Sequence, residues 1–83
     1  PRPVHFVGIA GAGMSALAEL FVRRGLRVTG SDMSPTGNAD LEALGVVVHR
    51  GHDAAHVDGA RAVVASSAIA PTHPELARAD ALG

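Results

Sequence analysis

The segment Gly8-Ile9-Ala10-Gly11-Ala12-Gly13-Met14-Ser15 is spaced for chemistry done by the backbone. The dinucleotide fingerprint Gly-x-Gly-x-x-Gly falls on Gly8, Ala10 and Gly13, with alanine at the middle position and Gly11 directly after it. Glycine permits a tight turn and lets N–H groups come close to a diphosphate, while a helix start adds partial positive charge. Ala12, Gly13, Met14 and Ser15 are the expected donors, and the Ser15 hydroxyl adds one more. Asp32 follows about 20 residues later, where a carboxylate accepts from ribose hydroxyls and repels a 2′-phosphate. The competing reading is an Asp that bonds its own backbone in a Ser-Asp-x-Ser turn. Ser66 and Ser67 offer two hydroxyls to a phosphate or sugar, or cap a loop.

The histidines invite a second chemistry. His49, His52 and His56 stand at i, i+3 and i+7, with Asp53 and Asp58 nearby, a spacing that would put three imidazoles on one side of a helix for a metal ion. Gly51 argues for a turn instead, and His49 for a strand end, so no metal site is expected. His5 and His73 read as structural or solvent-facing. No nucleophile elbow accompanies these residues, so no Ser-His-Asp set can be argued and no catalytic residue is assigned.

Composition narrows the choice further. All seven cations of the 83-residue chain are Arg. Without Lys there is no P-loop lysine, Schiff base or lysine general base. Without Cys there is no thiol nucleophile, disulfide or thiolate metal cluster. A formal charge of -1 gives no reason to expect nucleic acid or an anionic membrane as partner. Phe6 and Phe21, the only aromatics, make no stacking platform. With no apolar run of about 18 residues and no basic-then-apolar leader, the expected compartment is the cytoplasm.

These groups need elements to position them. Val4 to Ile9 reads as a buried strand running into the glycines. Met14, Leu17, Ala18, Phe21 and Val22 then mark one face of a helix that Gly25 stops. Leu26 to Ser31 is a second strand, ending in Asp32, and residues 33–38 form a loop. Asn38 caps a short helix over Ala39 to Leu44, and Gly45 precedes a third strand, Val46 to Val48. His49 to Ala60 is irregular, with one helical turn. Ala62 to Ala65 is a fourth strand, and Pro74 starts a last helix to Leu82.

The order predicts an α/β fold, a Rossmann-like open parallel sheet of four strands with crossover helices. Val46 to Val48 and Ala62 to Ala65 lack alternation, as strands covered on both faces should. The last helix ends in Ala79-Asp80-Ala81-Leu82-Gly83, much as Leu41-Glu42-Ala43-Leu44-Gly45 does before the third strand. On that echo, residues 1–83 are a fragment cut before a fifth strand.

His5-Phe6-Val7-Gly8-Ile9-Ala10-Gly11-Ala12-Gly13-Met14-Ser15 resembles the amino-terminal signature of the Mur ligases. Gly30-Ser31-Asp32, Gly51-His52-Asp53, and Ser66-Ser67-Ala68-Ile69 followed by Pro74-Glu75 agree in order and spacing. The likeness runs through nearly the whole chain and is closest to the member that adds L-alanine to UDP-N-acetylmuramate. The peptide-recycling relative ranks second. Ala10 departs from the usual glycine, and His73 from a common Asn.

The resemblance implies the first domain of a three-domain, ATP-dependent ligase of peptidoglycan synthesis, a domain that holds the UDP moiety of UDP-N-acetylmuramate. Gly11, Ala12, Gly13, Met14 and Ser15 would hold the diphosphate. Asp32 and His52 would lie near the uridine, and Ser66, Ser67 and Ala68 near phosphate and sugar. ATP and Mg²⁺ would belong to the next domain, with no cofactor in this one. ATP would phosphorylate the muramoyl carboxylate, and the amine of L-alanine would attack the acyl phosphate. The remaining domains would be partners in cis, and the chain alone would be inactive. From the glycine loop and Asp32 alone, an NAD(P)-binding domain of an oxidoreductase or sensor is the competing reading.

Overall fold

A computed structural model describes residues 2–33, 39–65 and 73–82. The elements are β1 (Val4–Val7), α1 (Ala12–Arg23), β2 (Val28–Asp32), α2 (Ala39–Ala43), β3 (Val47–Arg50), a 3-10 turn (Ala54–Val57), β4 (Ala62–Ala65) and α3 (Pro74–Leu82). The four strands form one parallel sheet in the order β3-β2-β1-β4. The chain thus winds outward from β1 to β3, then returns to the other side of β1 for β4. That reversal, between β1 and β4, is the switch point where open α/β sheets form their ligand crevice.

Alternation along β1 assigns its side chains to two layers. Val4 and Phe6 join Ile9, Ala18, Val28, Leu41 and Val46 in the main core, with Met14, Leu17, Phe21 and Val22 of α1 packed against it. Phe6 meets Phe21 edge to face at 5.4 Å, the arrangement that ring quadrupoles favour. His5, on the opposite face, is fully buried and reaches Glu75 of α3. The periodic face expected for α1 is the face the core uses, and Gly25 ends the helix at φ 85, a conformation that glycine adopts without a Cβ clash.

Two expectations need correction. The third strand runs Val47–Arg50 instead of Val46 to Val48; Val46 lies just before it, buried, with its N–H donating to Leu41 O at 3.1 Å. The outer strands are not covered on both faces either. β1 is buried at all four positions, but β3 and β4 have no buried residue, and Val47 is 52% exposed. Both flank the sheet, where fewer neighbours cover a side chain, so an unalternating apolar run was a poor guide to burial there. Asn38, the expected cap of α2, lies outside the described residues.

Candidate functional site

The glycine loop is built by hydrogen bonds to the end of β2. Gly8, at φ 77, turns the chain out of β1. The N–H groups of Gly8 and Ile9 both donate to Ser31 O, at 2.8 and 3.0 Å. The N–H of Ala10 donates to Asp32 Oδ2 at 3.0 Å. Gly11 then enters α1 in extended backbone, its own N–H bonded to Gly8 O at 3.0 Å. The first turn of α1 directs the amides of Ala12, Gly13 and Met14 out of its N-terminus, where the helix has no carbonyl for them. Ser15 differs from expectation, because its amide already donates to Gly11 O at 2.8 Å.

Two glycines have separate reasons. A Cβ on Gly30 would lie 2.4 Å from Ile9 Cδ1, so Gly30 is what lets the loop fold down over β2. A Cβ on Gly13 would meet nothing within 4 Å. Packing among the described residues therefore does not require glycine there, and the helix start leaves space among them for another molecule to come close.

Asp32 lies beside that loop, and its Oδ2 fixes the turn through Ala10, a structural duty that neither reading of its sequence context had given it. Asp32 O also accepts from the Gly51 N–H at 2.7 Å, which ties the segment after β3 to the same sheet end. Ser66, Ser67 and Ala68 lie outside the described residues, as does Ser34 of the alternative Asp turn.

A second polar centre sits behind this edge, on the face opposite Phe6. The Glu75 side chain is fully buried and its carboxylate collects five donors. Oε1 accepts from His5 Nε2 and Ser31 Oγ, each at 2.7 Å. Oε2 accepts from the Asp53 N–H at 3.0 Å, His56 Nδ1 at 2.9 Å and His52 Nδ1 at 3.2 Å. His52 Nδ1 also lies 3.0 Å from Ser31 Oγ. Around this core, His49 stacks on His56 at 4.2 Å, and His73 meets His52 edge-on at 4.3 Å. The backbone N–H of Glu75 donates to His73 Nδ1 at 3.2 Å. All five histidines of the chain thus gather around one carboxylate.

Burial by itself would raise the Glu75 pKa, but hydrogen bonds from Ser31, His56, His5 and the Asp53 amide outweigh it and hold the group at about 2. Burial lowers the His5 pKa, against the pull of Glu75, and lowers those of His49 and His73. Hydrogen bonding thus keeps the Glu75 carboxylate ionised, while burial favours the neutral form of His5 beside it. Because a carboxylate only accepts, His5 carries its proton on Nε2, and Nδ1 accepts from Thr29 Oγ1 at 2.8 Å.

The histidine reading from spacing changes accordingly. His49 belongs to β3 and His56 to the 3-10 turn, so the i, i+3, i+7 set shares no helix face. Asp53 caps the 3-10 turn through Ala55 N, and Asp58 pairs with Arg78 at 2.9 Å. The ligand-type atoms that do converge are those of His5, His56 and Glu75, all within 4.8 Å of one another. Glu75 was the residue missed. An acid after a proline at a helix start is usually solvated, and its one sequence signal was membership of the Pro74-Glu75 block.

A parallel sheet with this switch point, a glycine loop opening α1 and an acid at the tip of β2 define a Rossmann-like α/β domain. Residues 3–83 match the Mur ligase family, catalytic domain, and the chain belongs to that family. It is 54% identical over 80 residues to UDP-N-acetylmuramate–L-alanine ligase of Maricaulis maris and 52% identical over 75 residues to that of Phenylobacterium zucineum. These alignments cover 95% and 89% of this chain but 17% and 16% of the relatives. Among solved structures, UDP-N-acetylmuramate-alanine ligase of Thermotoga maritima superposes with a TM-score of 0.82 at 31% identity, over 99% of this chain and 19% of that one. A murein peptide ligase of Psychrobacter arcticus gives 0.80 at 32% identity, over 95% and 17%.

Proposed function

We propose that this chain is the UDP-binding, amino-terminal domain of a ligase that joins L-alanine to UDP-N-acetylmuramate in peptidoglycan synthesis. The observation that carries the reading is the start of α1, where no described residue lies within 4 Å of a Cβ built on Gly13, in a chain more than half identical to enzymes of that name. The amides of Ala12, Gly13 and Met14 receive the diphosphate, with the Ser15 hydroxyl beside them. Asp32 and His52 border the uridine, and Ser66, Ser67 and Ala68 the phosphate and sugar. The L-alanine-adding branch is preferred to the peptide-recycling one because the relatives above 50% identity carry the former name.

The division of labour follows from the residues. With no Lys, this domain has no P-loop for ATP. ATP, Mg²⁺ and the acyl-phosphate step belong to further domains acting in cis, and this domain contributes by orienting the substrate. Its place of work is the cytoplasm, without nucleic acid or membrane as partner. No helix among the described residues is long and apolar enough to cross a membrane.

The test is a proton–nitrogen NMR titration with UDP-N-acetylmuramate, using NADH as control. Shifts at Gly11 to Ser15, Asp32, His52 and Ser66 to Ala68, with NADH silent, are expected. Shifts with NADH and none with the UDP-sugar would replace this reading with the NAD(P)-binding one. With ATP, Mg²⁺, L-alanine and UDP-N-acetylmuramate all present, the chain alone is expected to release no ADP.

A further inference from the structure

The Glu75 centre has more donors than its acceptor can serve well. A carboxylate offers about four lone-pair directions, and five donors approach this one. Two of the five are imidazole nitrogens from separate elements, His5 Nε2 on β1 and His56 Nδ1 on the 3-10 turn, at 2.7 and 2.9 Å from the two carboxylate oxygens. Each of these nitrogens can exchange its proton for a metal ion. We propose that His5, His56 and Glu75 form a binding site for a divalent transition-metal ion of the zinc type, which clamps β1, the 3-10 turn and α3 together.

The donor chemistry selects the ion. Two imidazoles and a carboxylate are a set that zinc takes up, whereas Mg²⁺ prefers oxygen ligands and retains its waters. A tetrahedral ion with bonds of about 2.0–2.1 Å needs donor atoms about 3.3 Å apart. The 2.7 and 2.9 Å contacts, made to different oxygens of Glu75, therefore lengthen as the three donor atoms, all within 4.8 Å of one another, turn toward one ion. His52, whose Nδ1 is 3.2 Å from Glu75 Oε2, or a water completes the coordination.

The proton balance closes inside the site. His5 shifts its proton from Nε2 to Nδ1, and His56 from Nδ1 to Nε2, which frees both donor lone pairs. For His5 the acceptor of the relocated proton is already in position, since Thr29 Oγ1 lies 2.8 Å from Nδ1. Such an oxygen partner on the second ring nitrogen is what metal-ligating histidines usually have. The stacked ring of His49, tilted 14° from His56, holds the other imidazole in plane. In a chain with no cysteine, a metal clamp would supply the staple that small domains often need.

The experiment is a titration of the chelator-treated full chain with Zn²⁺, followed by calorimetry and by imidazole nitrogen NMR, with Co²⁺ as a spectroscopic probe. One equivalent of Zn²⁺ is expected to bind, His5 is expected to change from its Nε2–H to its Nδ1–H form, and Co²⁺ to give the visible absorption of a four-coordinate ion. His56→Ala is expected to weaken binding at least tenfold, while His49→Phe, which keeps the stack, leaves the stoichiometry unchanged. Mg²⁺ is expected to produce none of these signals. An unchanged His5 tautomer at saturating Zn²⁺ would overturn the proposal, and this readout needs no variant to fold. Equal binding by His56→Ala, or no stoichiometric binding at all, would overturn it as well.

Discussion

The two polar regions of this domain lie back to back at one end of the sheet and follow opposite designs. At the glycine loop, backbone does the work and side chains are kept away: Gly30 makes room for Ile9, and the first turn of α1 presents amides past Gly13. At the Glu75 centre, side chains from β1, β2 and α3 and from the segment after β3 converge in a buried network whose acceptor is fully used. The first leaves donors for a ligand; the second uses its donors to hold elements together. Ser31 joins them, since its carbonyl anchors the loop and its hydroxyl donates to Glu75. An edge made of backbone has little packing of its own, and its shape is borrowed from the network behind it.

The comparison can be broken at either end, and the largest effect belongs to the network. Glu75→Ala leaves five donors facing each other in a buried space, and should cost about 3–5 kcal/mol. Urea unfolding followed by circular dichroism, suited to a chain without Trp or Tyr, measures it. A loss under 1 kcal/mol would show that the centre does not hold the fold.

Acid attacks the same centre more gently. The folded pKa of His5, His49 and His73 lies below the ordinary 6.5, and that of Glu75 falls from 4.5 to about 2. For a depressed pKa, the unfolded chain binds protons first, so stability is complete above the unfolded value and declines as pH falls. In chelator-treated protein the midpoint of unfolding should fall in two stages, first below pH 6.5 from the imidazoles and then between about 4.5 and 2 from Glu75. A flat profile from pH 7 to 3 would contradict this.

Gly30→Ala comes next. Its Cβ would lie 2.4 to 2.9 Å from three atoms of Ile9, and relief of that clash should cost about 1–3 kcal/mol, with amide shifts spreading from Ile9 into the glycine loop. Gly13→Ala sharpens the contrast by separating function from stability. No described residue crowds its Cβ, so the helix should be unchanged or up to about 1 kcal/mol more stable. Affinity for UDP-N-acetylmuramate should nevertheless fall at least tenfold, as read by NMR titration. Intact affinity would remove this glycine from the ligand edge. The smallest effect is expected from Arg78→Ala. Its partner Asp58 is half-exposed like itself, and such pairs contribute about 0–1 kcal/mol, within reach of the same unfolding measurement.

Much of this molecule was legible in one dimension. An apolar β-branched run placed β1, a 3.6-residue period placed α1 and Pro74 the start of the last helix, and the positive φ of Gly25 and Gly45 falls where the sequence stops its helices. The glycine loop is readable because it is local: strand, turn and helix start follow one another along the chain, and their chemistry depends on backbone. The exposure of β3 and β4 was hidden, since an apolar residue carries no mark of whether its strand lies inside a sheet or at its flank. The Glu75 centre was hidden for a deeper reason. Its acceptor lies 70 residues from His5, 44 from Ser31 and 19 from His56, and no spacing rule connects them. The sequence alone determined that a parallel α/β sheet would carry a glycine turn and a helix start after its first strand, because those features rest on neighbouring residues. Only the tertiary structure decided that three scattered histidines would share one carboxylate, with the other two packed around them, because that depends on which faces of β1 and α3 the winding of the sheet brings together.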